Sequence, residues 1–132
     1  MRQSLVQCDP AEALNPLEAA LLQGIVDYYQ DPALTEQIRH CRVVQREYSG
    51  CGFFIALVVS VGSPLIIVRK DGFRFRTGND IEAPELSNGA GSVLFIREGL
   101  LHFLEVFAYV GGDPADLSGF ALLPITRTTG SE

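Results

Sequence analysis

The chain has 132 residues, 47% hydrophobic and 20% charged, a balance that argues against a disordered chain and supplies one domain with a core of its own. Its net charge of −6 disfavours nonspecific nucleic-acid binding, and its longest apolar run, Phe53 to Val61, is about half the length of a membrane span. Three cysteines, Cys8, Cys41 and Cys51, an odd number without CxxC spacing, argue against a disulfide framework or a zinc site and for free thiols in a reducing compartment.

The first quarter reads as helical. Asn15-Pro16-Leu17-Glu18 is a helix start: a capping side chain, proline at the first helical position, then an acid near the positive end of the helix dipole. Leu17, Leu21, Ile25 and Tyr28 recur at helical spacing behind it, and Gly24 within that stretch marks close packing. Asp31-Pro32 opens a second, shorter helix that carries Leu34, Ile38 and Cys41 on one face. Asp9-Pro10-Ala11-Glu12 follows the same grammar and predicts a short extra turn.

From Arg42 the pattern turns to strands. Val43, Val44 and Tyr48 form a β-favouring run that Gly50-Cys51-Gly52 interrupts. Phe53 to Ser60 is apolar on both faces and predicts a central strand covered on both sides. Gly62-Ser63-Pro64 is a turn and Leu65 to Arg69 the next strand; Asp71-Gly72 then has the composition of a type I′ hairpin. Residues 77–91 read as a long loop with a short edge strand near Ile81. Val93 to Ile96, a turn at Arg97-Glu98-Gly99, and Leu100 to Tyr109 read as a hairpin. Asp113 to Asp116 reads as a single helical turn, and Phe120 to Leu123 as a last strand.

The expected fold is α+β: two N-terminal helices on one face of a mostly antiparallel, meander-type sheet of five to seven strands. The helical segment covers about 10–41, the sheet about 42–124, and a frayed tail 125–132. The N-terminus has no apolar stretch of signal-peptide type, and the expected location is the cytoplasm.

Charge is segregated along the chain. Residues 1–38 carry −5, residues 39–76 +5 and residues 77–132 −6. Internal complementarity between the basic middle and the acidic ends is the simplest account; a basic face for an anionic ligand is the alternative.

Few motifs carry chemistry. Gly89-Ala90-Gly91 lacks the third glycine, the preceding strand and the following helix of a dinucleotide loop, so it reads as close backbone packing. No cofactor is expected. His40 and His102 have no metal-binding spacing, and a Cys51–His102 pair has no positive support beyond the fold's freedom to bring the two together. Glu105 is the most informative residue. Simple alternation places it in a row with Leu101, Phe103, Phe107 and Tyr109, so it must be paired, hydrogen-bonded, neutralised, at a cleft or at an edge exposed to solvent. Arg74 and Arg76 are the expected partners, and an ion pair is the favoured outcome. The candidate binding residues are therefore Glu105, Arg74, Arg76, His102 and Tyr109.

Gly50-Cys51-Gly52-Phe53-Phe54, residues 89–100 (GAGSVLFIREGL) and Leu104-Glu105-Val106-Phe107-Ala108-Tyr109 resemble a loose group of small, mostly uncharacterised bacterial proteins. Their pattern is a GxGFF strand, then GAG with LFI, a charged turn, and LE before an aromatic stretch. The resemblance covers about residues 50–110 and departs at Val106 to Tyr109, where a glycine or tyrosine is expected soon after Leu-Glu. It implies a helix-plus-sheet fold and no particular activity. Some of the group look like proteins encoded beside toxins, which implies an immunity-type binding role.

Three functions remain open at this point. The first is a non-catalytic protein that binds another protein through a sheet face or the 77–91 loop. The second is a small-molecule binder or small enzyme centred on Glu105, with His102 or Arg76 assisting. The third is a structural homodimer.

Overall fold

A computed structural model describes residues 4–67 and 75–126. Asn15 caps helix α1 (Pro16–Tyr29) through a reciprocal capping box: its side chain accepts from the Glu18 N–H, and Glu18 accepts from the Asn15 N–H. Asp31 caps α2 (Pro32–His40) by accepting from the N–H groups of Ala33 and Leu34. Both caps lie where the sequence places them.

The helices pack on one face of an eight-stranded sheet whose pairings are all antiparallel. Its strands are β1 (Ser4–Glu12), β2 (Arg42–Tyr48), β3 (Gly52–Val58), β4 (Phe75–Thr77), β5 (Asp80–Glu82), β6 (Ala90–Arg97), β7 (Leu100–Ala108) and β8 (Ala121–Leu123). Their order is β1-β2-β3-β7-β6-β5-β8, and β4 also pairs with β6. Three connections depart from a simple meander: β3 lies against β7 and not β4, β4 and β5 both lie against β6 and not each other, and β8 lies against β5 and not β7. The sheet is open.

Several local expectations are corrected. The segment read as a helical turn at Asp9 to Glu12 belongs to the edge strand β1, which raises the strand number to eight; an edge tolerates Pro10 because its missing N–H can face outward. Leu65 to Ile67 form no strand; Ile66 instead donates its N–H to the Gly99 carbonyl and enters the core. Asp113 to Asp116 is a hydrogen-bonded turn without a helix. The strand near Ile81 is not at an edge, since β5 pairs with both β6 and β8. The Asp71-Gly72 turn lies outside the described residues.

The core fills the space between the helices and one sheet face. Leu21, Leu22 and Ile25 of α1 and Leu34 of α2 are fully buried there with Val43, Ile55, Leu94, Leu104 and Val106. At Gly24 the helix backbone comes down onto the Asn79 amide, where any Cβ would overlap Asn79 Oδ1. That is the close packing read from the sequence.

Two buried polar groups tie the layers together. Gln37 of α2 donates to the Pro64 and Gly99 carbonyls at 2.7 and 2.9 Å and accepts from the Leu101 N–H at 2.9 Å. Arg46 of β2 forms a two-bond fork with Glu18, both bonds 2.9 Å, and also reaches Glu12 at 2.6 Å, the Ala13 carbonyl at 3.3 Å and Cys8 Sγ at 3.8 Å. Glu18 is 1% exposed and Arg46 8%, so this is a desolvated ion pair with its donors used. The hydrogen bonds that Arg46 donates to the Glu18 carboxylate push its pKa further up. Glu18 thus serves the helix cap and the ion pair together. Here the basic middle of the chain meets its acidic beginning.

Candidate functional site

The helices leave the other sheet face uncovered, and that face is aromatic. Strand β3 is apolar on both sides, as the sequence shows, but the expectation of cover on both sides is wrong. Phe53, Ile55 and Leu57 enter the core, while Phe54 and Ala56 are half-buried and Val58 is exposed on the open side. In antiparallel pairs, directly opposed residues share a face, so the register gives this surface row by row. One row runs Leu5, Glu47, Phe54, Glu105, Val93, Thr77. Its neighbour runs Gln7, Gln45, Ala56, Phe103, Phe95, Phe75.

Ring contacts link the rows. Phe54 and Phe103 have centroids 5.4 Å apart, Phe103 and Phe95 4.7 Å. His102 meets Phe103 edge-on at 4.8 Å, and Phe107 meets Tyr109 edge-on at 5.6 Å. Phe107 lies across Gly91, where a Cβ would collide with its ring. Ala90-Gly91 therefore opens a strand, with glycine serving the close approach of an aromatic side chain.

Alternation along β7 holds except at one point. The register slips beside His102, and this bulge turns Leu101 to the helix side, where it is buried. The expected row of Leu101, Phe103, Glu105, Phe107 and Tyr109 thus loses its first member.

Glu105 sits in the middle of the open face, half-buried, with Phe54 on one side and Val93 on the other. Among the described residues it forms no hydrogen bond and no ion pair, so the expected pairing with Arg76 is not found there. Arg76 explains why. It stands opposite Leu94, which faces the helices, and its guanidinium lies 5.8 Å from the Tyr29 ring centroid of α1. Arg76 and Glu105 are on opposite faces of the sheet. Arg74 lies outside the described residues.

His102 and Cys51 are not brought together. Cys51 accepts the Ala108 N–H beside one end of β7, and His102 is six residues away, about 20 Å along a strand. Tyr109, 52% exposed, donates to Asp80 Oδ1 at 2.8 Å. Burial of its hydroxyl first, and the Asp80 carboxylate second, push its pKa up to about 12.

A hollow of about 240 Å³ opens beside Glu105, lined by Glu47, Ser49, Cys51, Phe54 and Phe107 among others. A second, about 540 Å³, lies between Asp80, Glu82, Asn88 and Tyr109. Three or more metal-ligating side chains do not gather anywhere among the described residues, and no helix there is long and apolar enough to cross a membrane.

Sequence reasoning missed Glu47, Phe54 and Phe95 as parts of this face. Strand alternation alone places Glu47 opposite in sense to Arg46; what the sequence withholds is the pairing that sets Glu47 beside Phe54. Comparison with protein-family models, with curated proteins and with solved structures finds no match to this chain.

Proposed function

We propose that this protein is a non-catalytic binding protein whose open sheet face docks another protein. One observation carries the reading: β3, β6 and β7 present apolar side chains on both sides, while the helices cover only one. A contiguous aromatic patch that no helix covers is a usual mark of an interaction site. Aromatic side chains are enriched at the centres of such interfaces. An immunity-type role, in which the face would block a toxin, belongs to the same proposal. So does a cytoplasmic setting, which suits three free thiols.

The rival reading, a small-molecule or catalytic site at Glu105, has less behind it. The adjoining hollow, about 240 Å³, is smaller than the roughly 300–1,000 Å³ of ordinary ligand pockets. Face-to-face self-association is disfavoured too, because it would bury unpaired carboxylates from both copies.

The test is a selection of peptides from a displayed random library on the immobilised full chain, followed by affinity measurements on Phe103→Thr. Phe103 is the ring that joins Phe54 to Phe95, so the expected result is at least a tenfold loss. Val61→Ser, off the face and fully exposed, should bind as the parent does. Equal binding by parent and Phe103→Thr would overturn the proposal.

A further inference from the structure

We infer that the partner presents an arginine or lysine side chain, seated over Phe54 between Glu47 and Glu105. This rests on the docking reading above and adds the chemistry of the occupant. Strands β2, β3 and β7 are successive neighbours, and Glu47, Phe54 and Glu105 stand directly opposite one another across them. Opposed residues have Cβ atoms about 4.5–5.5 Å apart, so two carboxylates flank one aromatic ring. Neither carboxylate has a hydrogen-bond or ion-pair partner among the described residues.

Among the described residues, the nearby arginines of β2 and β4 are directed elsewhere. Arg46, beside Glu47 in sequence, points to the helix side and is consumed by Glu18 and Glu12. Arg76 lies on the helix side near Tyr29. Arg42, five residues from Glu47 along β2, donates to the Ala11 carbonyl.

Docking would remove both carboxylates from water. Against an apolar or acidic surface, that desolvation goes uncompensated and opposes binding. A guanidinium or ammonium group compensates it twice, by charge-assisted bonds to the carboxylates and by its attraction to the face of the ring. The hollow beside Glu105 has room for one long side chain. The same two carboxylates that admit a cation reject uncharged competitors and a second copy of the chain.

The experiment uses the peptides selected on the full chain in the displayed library. The expected result is enrichment of arginine or lysine next to apolar residues. Glu47→Gln and Glu105→Gln should each weaken a selected peptide by about tenfold, with weaker binding still at high salt. Replacing the peptide's arginine by norleucine should abolish the difference between the parent and the Gln variants. Peptides that need Phe103 but ignore both Gln substitutions and salt would overturn the cationic anchor and leave the docking face standing. Peptides that ignore Phe103 as well, or a selection that yields none, would overturn both.

Discussion

Replacing Arg46 by methionine tests the account of the fold at its most loaded point. Methionine keeps an unbranched apolar stem of similar reach and removes the guanidinium. Glu18, 1% exposed, then loses both bonds of the fork and retains only the Asn15 N–H as a donor. Removing one partner of a buried ion pair typically costs about 3–5 kcal/mol, because a desolvated charge is left behind. At about 2.1 cal/mol/K per residue, the unfolding entropy of a 132-residue chain is roughly 0.28 kcal/mol/K, so Tm should fall by about 11–18 °C. The double variant Arg46→Met/Glu18→Met removes both charges. It still forfeits the capping box, worth about 1 kcal/mol, but leaves no stranded buried carboxylate. It should therefore be more stable than Arg46→Met alone. Thermal and urea unfolding of the parent, both singles and the double supply the cycle. A loss under about 1 kcal/mol for Arg46→Met, or additive losses in the double variant, would refute the ion-pair reasoning.

Four further outcomes follow from the same geometry. Gly24→Ala should destabilise by up to about 2 kcal/mol despite a gain near 1 kcal/mol in helix propensity, because its Cβ overlaps Asn79 Oδ1; a rise in the urea midpoint would contradict this. In the native protein a thiol reagent should modify Cys51 alone, with Cys8 and Cys41 reacting only on unfolding, since burial raises both thiol pKa values and pushes that of Cys41 up to about 11; fast labelling of all three would contradict it. Tyr109 keeps its proton to about pH 12 when folded but ionises near pH 10 when unfolded, so its contribution is complete below pH 10 and is lost between about pH 10 and 12. Tyr109→Phe should flatten that part of the stability–pH curve, and an unchanged slope in the variant would count against the Asp80 contact. Glu105→Leu should leave stability within about 1 kcal/mol of the parent or raise it, and should promote self-association in light scattering; a large destabilisation would reveal an ion pair that the described residues do not form.

Local signals proved legible where the chemistry is local. The caps at Asn15 and Asp31 are short-range hydrogen bonds, and the Glu98-Gly99 turn, with positive φ at both residues, lies inside the expected hairpin. Features set by partners elsewhere in the chain were not legible. Ser4 to Glu12 carries helix-start grammar around Pro10 yet becomes a strand because β2 offers it an edge. The bulge beside His102 reverses the side of Leu101 through a register slip that alternation cannot anticipate. The charge map located the attraction between the acidic beginning and the basic middle of the chain. It could not say that Arg46 would satisfy it or that Arg76 would lie across the sheet from Glu105.

The apolar two-sidedness of β3 shows why pattern and cover must be separated. A strand apolar on both sides lies in a dry interior on both sides or waits for something to cover one of them. Here two helices are available, and both pack on the same face with the buried leucines and isoleucines. The sheet's two faces also handle carboxylates in opposite ways. On the helix side Glu18 is enclosed, held by a two-bond arginine fork and a backbone N–H, which is how a fold stabilises a charge that it must bury for itself. On the open side Glu105 and Glu47 flank Phe54 with no such provision. Both are only half-buried and reach solvent. On the docking proposal, a partner that covers these carboxylates would have to bring positive charge with it, and that requirement would separate a face selective for cationic surfaces from a merely sticky one.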